Sequence, residues 1–230
     1  MQSIFNYDSK FTQILLKLAD MIILNILFVL CSLPIVTIGA AQAGLFSGIR
    51  QLMNKEDDRS PIGFFFKGFA SGFWKITLLH IVFLLVMAIL GLNTTAVLVY
   101  HYTGAHAPVW MSIAALCICA VYHSLMTVFH ASFGCTIKQL LRNIFLVSLA
   151  NLWRAIVTAV LIWLPLFIAA IDLYSFMKLF PIWALLYYGI AFLFVYTIWK
   201  KPFNRLKEYF LESQKEAAPA EETVVDSKAK

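Results

Sequence analysis

The chain has 230 residues, of which 61% are hydrophobic and 13% charged, with a formal net charge of +6 and a mean hydropathy of +0.81. A soluble domain is nearer about 25% charged, and a water-exposed fold of this size has no room to hide so much apolar surface. A water-soluble globular protein is therefore excluded, and the alternating ten-residue pattern of a membrane β-barrel is absent.

Taken in chain order, the apolar runs predict an all-α, polytopic transmembrane helical bundle of about five spanning helices. It begins with a segment in which Phe11, Ile14, Leu15, Leu18 and Ile22 recur at helical spacing, with Lys10, Gln13, Lys17 and Asp20 on the other face. That pattern predicts an amphipathic helix able to lie in the membrane interface. No small-residue cleavage site follows, so a cleaved signal peptide is not expected. Spans are predicted at residues 20–38, 75–99, 109–133, 154–171 and 179–199, each near the roughly 20 apolar residues that cross a bilayer. They form one membrane domain, residues 1–211. The polar, Ala/Pro-rich tail at 212–230 cannot bury a core and is expected to be disordered in the cytoplasm.

The run Cys31–Gly48 reads CSLPIVTIGAAQAGLFSG. As one helix, residues 20–49 would be about 45 Å long, against a hydrocarbon core of about 30 Å. Pro34 breaks the run. Ser32 and Thr37 are placed to bond the carbonyls freed there. A kinked crossing is expected, with a re-entrant hairpin as the alternative. Ala40, Gly44 and Gly48 make a small-residue face for close helix packing.

Basic residues set the orientation. Arg50, Lys55, Arg59, Lys67 and Lys75 follow the first span, and Lys138, Arg142 and Arg154 follow the third. Lys200, Lys201, Arg205 and Lys207 follow the fifth, whereas the loop from Tyr100 to Pro108 carries no Lys or Arg. The positive-inside rule puts the rich segments in the cytoplasm, and with five spans the N-terminus is expected outside. Trp74, Tyr100, Trp110, Trp153, Tyr174 and Trp199 fall where aromatic anchors belong. CTIKQLLRNIF puts Lys138 and Arg142 four apart, opposite Ile137, Leu140, Leu141 and Ile144, as a cytoplasmic interfacial helix would. Two segments, from Phe65 and from Ile144, share an aromatic-apolar stretch followed by Trp-Lys (Trp74-Lys75) or Trp-Arg (Trp153-Arg154) and then two spans. This is a candidate internal repeat.

Polar side chains deep in apolar runs are the candidate site. His123, Thr127 and His130 share one face of the third span, His80 lies in the inner half of the second, and Asn25 sits in the first. Such groups are costly in hydrocarbon and mark either function or interhelical bonding. No Asp or Glu lies deep in a span to complete a proton relay. Cys117 and Cys119 form C-x-C, with no zinc or redox spacing. Neither a phosphate-binding Gly-rich loop of the nucleotide hydrolases nor a metallopeptidase or serine-hydrolase motif occurs. Gly68 and Gly72 form a G-x-x-x-G suited to helix packing. No cofactor, metal or nucleic-acid partner is expected, and an enzyme is not expected.

Leu24 followed by Asn25 through Gly39 gives an L-N-x-L-F-x-x-C-S-L-P-I-V-T-I-G run, followed by AAQAGLFSGIR and the aromatic GFFFKGFASGFWK. Ser32, Pro34, Thr37 and Gly39 fall inside it. Over roughly residues 5–210 the chain resembles the YesL-type family of bacterial integral membrane proteins, whose molecular function is undefined. The resemblance implies a bacterial plasma-membrane protein encoded beside carbohydrate ABC-transporter genes. It implies an accessory or scaffold role in sugar uptake, with transporter subunits or further copies of the chain as partners beside the lipid bilayer. Two alternatives stand: a small oligomeric transporter or channel using the polar face of the third span, and a membrane sensor acting through its cytoplasmic loops.

Overall fold

Long apolar runs of good helix formers, interrupted at a few Pro, Gly and Asn positions, fold into helices at every described segment of secondary structure. A computed structural model of the chain describes the backbone of residues 10–54, 60–99, 106–133 and 136–228, and side chains at 11–54, 60–97, 109–133 and 136–208. Lys55, Arg59, Tyr100, Cys135 and the side chain of Lys10 lie outside the described residues. Five helices are long and apolar enough to cross a membrane: Phe11–Cys31, Phe73–Val97, Val109–Phe133, Leu152–Ile171 and Phe180–Glu208. Their outer surfaces are apolar, with Trp74, Leu92 and Ile171 each more than 70% exposed, while Asn25, His80, His123, Thr127 and Thr158 are buried. A soluble fold would reverse this distribution, and the protein is a multi-pass membrane protein.

The first helix, α1 (Lys10–Cys31), joins the amphipathic segment and the first apolar run in one element, ending well before residue 38. Pro34 has no N–H to continue it and disfavours helical geometry at Leu33. A short tight turn over Ile35–Thr37 follows, and then α2 (Ile38–Asn54). The expected kinked crossing does not form, because the chain reverses. Thr37 Oγ1 shares its proton between Cys31 O (2.6 Å) and Pro34 O (2.7 Å), closing the turn. Beyond it, Leu24 of α1 packs on Gly48 of α2. Contacts nested about the turn define an antiparallel helical hairpin.

Every residue of α2 from Gly39 to Ile49 is buried, and α2 touches α1 and the later helices Pro61–Ala70, Phe73–Val99, His106–Phe133 and Tyr188–Lys228. The small side chains make this possible. A Cβ on Gly44 would stand 2.9 Å from the Phe65 carbonyl of α3 (Pro61–Ala70), and one on Gly68 would run into Ser47. Backbones this close gain dispersion contacts that larger residues would prevent.

Ser60 caps α3, accepting a hydrogen bond from the Gly63 amide (3.4 Å) with Pro61 in the first turn. The helix stops at Ser71, and Gly72, at φ 76°, turns the chain into α4 (Phe73–Val99). Only glycine adopts that geometry readily, and here a Cβ would also collide with the His130 ring. α5 (His106–Phe133) returns. Next come α6 (Ile137–Ala150), capped by Thr136 and Gln139, a break at Asn151, and α7 (Leu152–Ile171). The two segments with repeat-like sequence thus both form a short helix, a hinge and a long helix. Trp74 and Trp153 each stand second in the long helix and are exposed.

Pro165 lies inside α7 and cannot bond the Leu161 carbonyl. Tyr187 Oη donates to that oxygen instead, at 2.7 Å. Short helices α8 (Leu173–Lys178) and α9 (Phe180–Ile182) lead through a wide turn, Trp183–Tyr187, into α10 (Tyr188–Lys228). Widened turns leave backbone groups unpaired, and Asn25 supplies partners. Its Nδ2 donates to Ala184 O (2.6 Å) and Trp183 O (3.3 Å), and its Oδ1 accepts from Gly189 N (2.8 Å). The backbone of α10 stays helical through the polar tail, whose side chains from Tyr209 on lie outside the described residues.

Among the expected aromatic anchors, Trp110 and Tyr174 are exposed. Trp199 is not an anchor but fully buried. Its indole Nε1 donates to Thr158 Oγ1 at 2.8 Å, and its ring stacks on Phe203 and meets Phe129 edge to face. Its place beside a basic cluster in sequence suggested an interface, but the inward face of α10 carries it into the core.

Candidate functional site

Two buried histidines meet where the hairpin turn packs against α4 and α5. Gly39 opens the space, since a Cβ there would stand 3.0 Å from His80 Cβ and 3.2 Å from Ile76 Cγ2. His80 and His123 meet ring to ring, with His80 Nδ1 and His123 Nε2 at 2.6 Å. The other His80 nitrogen, Nε2, lies 3.2 Å from Ile35 O in the turn. A carbonyl only accepts, so His80 Nε2 carries the proton and donates to it. His80 Nδ1 is then a lone pair, and His123 Nε2 donates to it. The remaining nitrogen, His123 Nδ1, is a bare acceptor. It is buried and has no partner among the described residues. The tautomers follow from the network rather than from hydrogens seen directly.

Apolar walls enclose the pair. His123 packs edge-on against Trp163 (5.2 Å between ring centres) and Phe83 (6.0 Å). Trp163 Nε1 is held by Ser124 Oγ at 3.1 Å, which fixes the indole against the imidazole. Among the described residues no Asp or Glu is buried, so none of them balances a charge here. Among the described residues no group of three or more His, Cys, Asp or Glu is placed to hold a metal.

Two turns further along α5, His130 Nε2 donates to Ser71 O at 2.7 Å, tying α5 to the α3–α4 hinge. Thr127 lies between the two histidines on the same face, its hydroxyl donating to Ser124 O at 3.2 Å. Gln42 and Thr77, on α2 and α4, add buried oxygens with no partner among the described residues. Ser71 lines a pocket of about 110 Å³. This shares Arg50, Phe64 and Lys67 with a larger one of about 570 Å³, which Lys200 and Lys207 complete. A row of polar side chains thus lies along one face of α5, from His130, bonded to Ser71 at the smaller pocket, through Thr127 to the His80–His123 pair.

His80 and His123 are therefore brought into contact, Thr127 and His130 follow one and two turns along α5, and Asn25 is elsewhere, at the wide turn. Of the signature residues, Pro34 and Thr37 build the turn that presents the Ile35 carbonyl, Gly39 admits His80, and Ser32 Oγ is buried without a partner among the described residues. Ala40, Gly44 and Gly48 lie along buried α2. Sequence reading missed Ile35, Ser71, Trp163, Gln42 and Thr77. A backbone carbonyl has no sequence signal, and Trp163 reads as one more apolar residue.

Fold and site together define an all-helical multi-pass membrane protein built round a buried helical hairpin. The family described as "Protein of unknown function, DUF624" matches residues 21–94. The match takes in the second half of α1, the turn, α2, α3, His80 and most of α4, and stops short of His123. No curated protein and no solved structure matches the chain.

Proposed function

We propose that the protein is a non-enzymatic membrane protein that passes a small polar species, with the His80–His123 pair as the constriction. The observation that carries this reading is the pair itself: two imidazoles bonded at 2.6 Å, buried, with one acceptor nitrogen that has no partner among the described residues, at the end of the polar row on α5. The open lone pair on His123 Nδ1 can accept a proton or a hydrogen bond from a small polar donor. Histidine is also the side chain whose charge changes near neutral pH without a large shift. The test is reconstitution in liposomes holding a pH-sensitive dye, with a clamped diffusion potential to drive protons. Flux in the native protein and its loss in His123→Phe and His130→Phe support the reading. No flux, or flux unchanged by either substitution, sinks it.

The resemblance to the YesL-type family favours a second use, as an accessory of a carbohydrate ABC-type uptake system in a bacterial plasma membrane. The exposed apolar face of α6, with Phe145, Leu146 and Leu149, suits a partner helix. Recovery of a sugar permease or its ATPase on purification from native membrane supports it, and recovery of a lone homo-oligomer removes it. The hairpin also implies a topology in which both termini lie on the cytoplasmic side, because α2 returns the chain to the basic end that Arg50 shares with Lys200. An N-terminal tag accessible from outside intact cells contradicts that topology.

A further inference from the structure

The basic end of the bundle holds a built recess. Helices α2, α3 and α10 converge there, with the end of α5 as one wall. Its lysines are Lys67, Lys200 and Lys207, drawn from two helices, with Arg50 of a third beside them, and no Asp or Glu is among the described residues that line it. Asn54 and Asn204 add amide groups, and Tyr196 is fixed by donating its hydroxyl to Asn54 Oδ1. The deeper wall is aromatic: Phe46, Phe133 and Phe203. Lys67 leans over the Phe64 ring at 5.9 Å and Lys200 over the Tyr196 ring at 5.8 Å, so both stems are held against the wall near the recess.

Three ammonium groups gathered in one recess, Lys67, Lys200 and Lys207, repel one another, and an anion among them relieves that repulsion. Lysine is a point-charge binder of phosphate, and amide N–H groups add directed bonds. The aromatic wall suits the glycerol or sugar part of such a molecule. We propose that this recess binds a phosphate-bearing anion, supplied either as the headgroup of an anionic membrane lipid or as a soluble phosphate. Basic pockets between membrane helices on the cytoplasmic side take headgroups in this way. The recess shares Arg50, Phe64 and Lys67 with the smaller pocket that Ser71 lines, so its occupant sits near the His130 end of the polar line on α5. Binding here does not depend on flux through that line.

The test uses the full-length protein in neutral detergent, with dioleoylphosphatidylglycerol, inorganic phosphate and dioleoylphosphatidylcholine as probes. Native mass spectrometry counts retained lipid, and the thermal midpoint is titrated with each probe. Expected is saturable binding of phosphatidylglycerol or inorganic phosphate over phosphatidylcholine. The K67Q/K200Q/K207Q variant should lose about a hundredfold in affinity, roughly fivefold for each lysine withdrawn. The K67R/K200R/K207R variant, which keeps the charge, should bind, and K138Q on α6 should behave as the native protein. Binding of the lipid without competition by phosphate assigns the headgroup source, and displacement by millimolar phosphate assigns the soluble one. Equal affinity of the native and triple Gln proteins overturns the site, as does indifference between phosphatidylglycerol, phosphate and phosphatidylcholine. The Arg variant separates loss of charge from loss of fold.

Discussion

His80 Nδ1 accepts a hydrogen bond from His123 Nε2 at 2.6 Å, and His80 Nε2 donates in turn to the carbonyl of Ile35. One imidazole therefore ties the hairpin turn to α5. Removing His123 alone leaves His80 Nδ1 buried without a partner, which costs about 1–3 kcal/mol. His123→Leu and His80→Leu should each destabilise the protein by that order. The double variant should lose less than the sum, since neither polar atom is then stranded. Reversible unfolding in bicelles measures all three, and strict additivity would show that the two rings do not act as a pair.

The Tyr187 hydroxyl occupies the carbonyl that Pro165 leaves open at Leu161. Tyr187→Phe should cost about 1 kcal/mol, the scale of a single bond between membrane helices. In a Pro165→Ala background the backbone can make its own bond, so the same substitution should cost less. An equal cost in both backgrounds, read from the unfolding midpoints, would separate the hydroxyl from the proline.

Gly44 and Gly91 make opposite predictions. A Cβ at Gly44 would meet the Phe65 backbone oxygen at 2.9 Å, and backbone yields poorly. Gly44→Ala should destabilise by about 1–3 kcal/mol through forced separation of α2 from α3. At Gly91 a Cβ meets nothing within 4 Å. Gly91→Ala should be neutral or stabilising by up to about 1 kcal/mol, as expected for glycine in an open helix interior. Similar losses at both positions would mean that the close α2–α3 approach is not what holds the hairpin.

Asp172 starts α8 by accepting from the Tyr174 amide at 3.0 Å and from the Ser175 hydroxyl. The Ser175 hydroxyl, and after it the backbone amides, hold its carboxyl below the ordinary 3.8. A depressed value in the folded state makes the contribution present above the ordinary carboxylate range and lost as pH falls through the folded value. Exchange protection of the Tyr174 amide should thus be steady from pH 7 to pH 5, once intrinsic exchange is allowed for, and fall only below pH 4. Ser175→Ala should raise the carboxyl value in a ¹³C titration. No change on removing the hydroxyl would assign the depression to the backbone.

Hydropathy and helical periodicity were enough to predict an all-helical membrane bundle, because burial in lipid acts on each run separately. Loop charges marked Lys67 and Lys200 as lying towards one side, and spacing put His123, Thr127 and His130 on one face. What they face was not local information. The Ile35 carbonyl meets His80 only because Pro34 and Thr37 turn the chain back, a choice between kink and reversal that both fit the same residues. The hairpin wins where Gly44, Gly48 and Gly68 let three backbones approach closely, a gain that exists only once the partners are in place. The same long-range packing draws Trp199 inward and gathers Arg50, Lys67, Lys200 and Lys207 round one recess. The sequence alone determined the solvent of this protein, and the tertiary structure decided which of its costly polar groups meet.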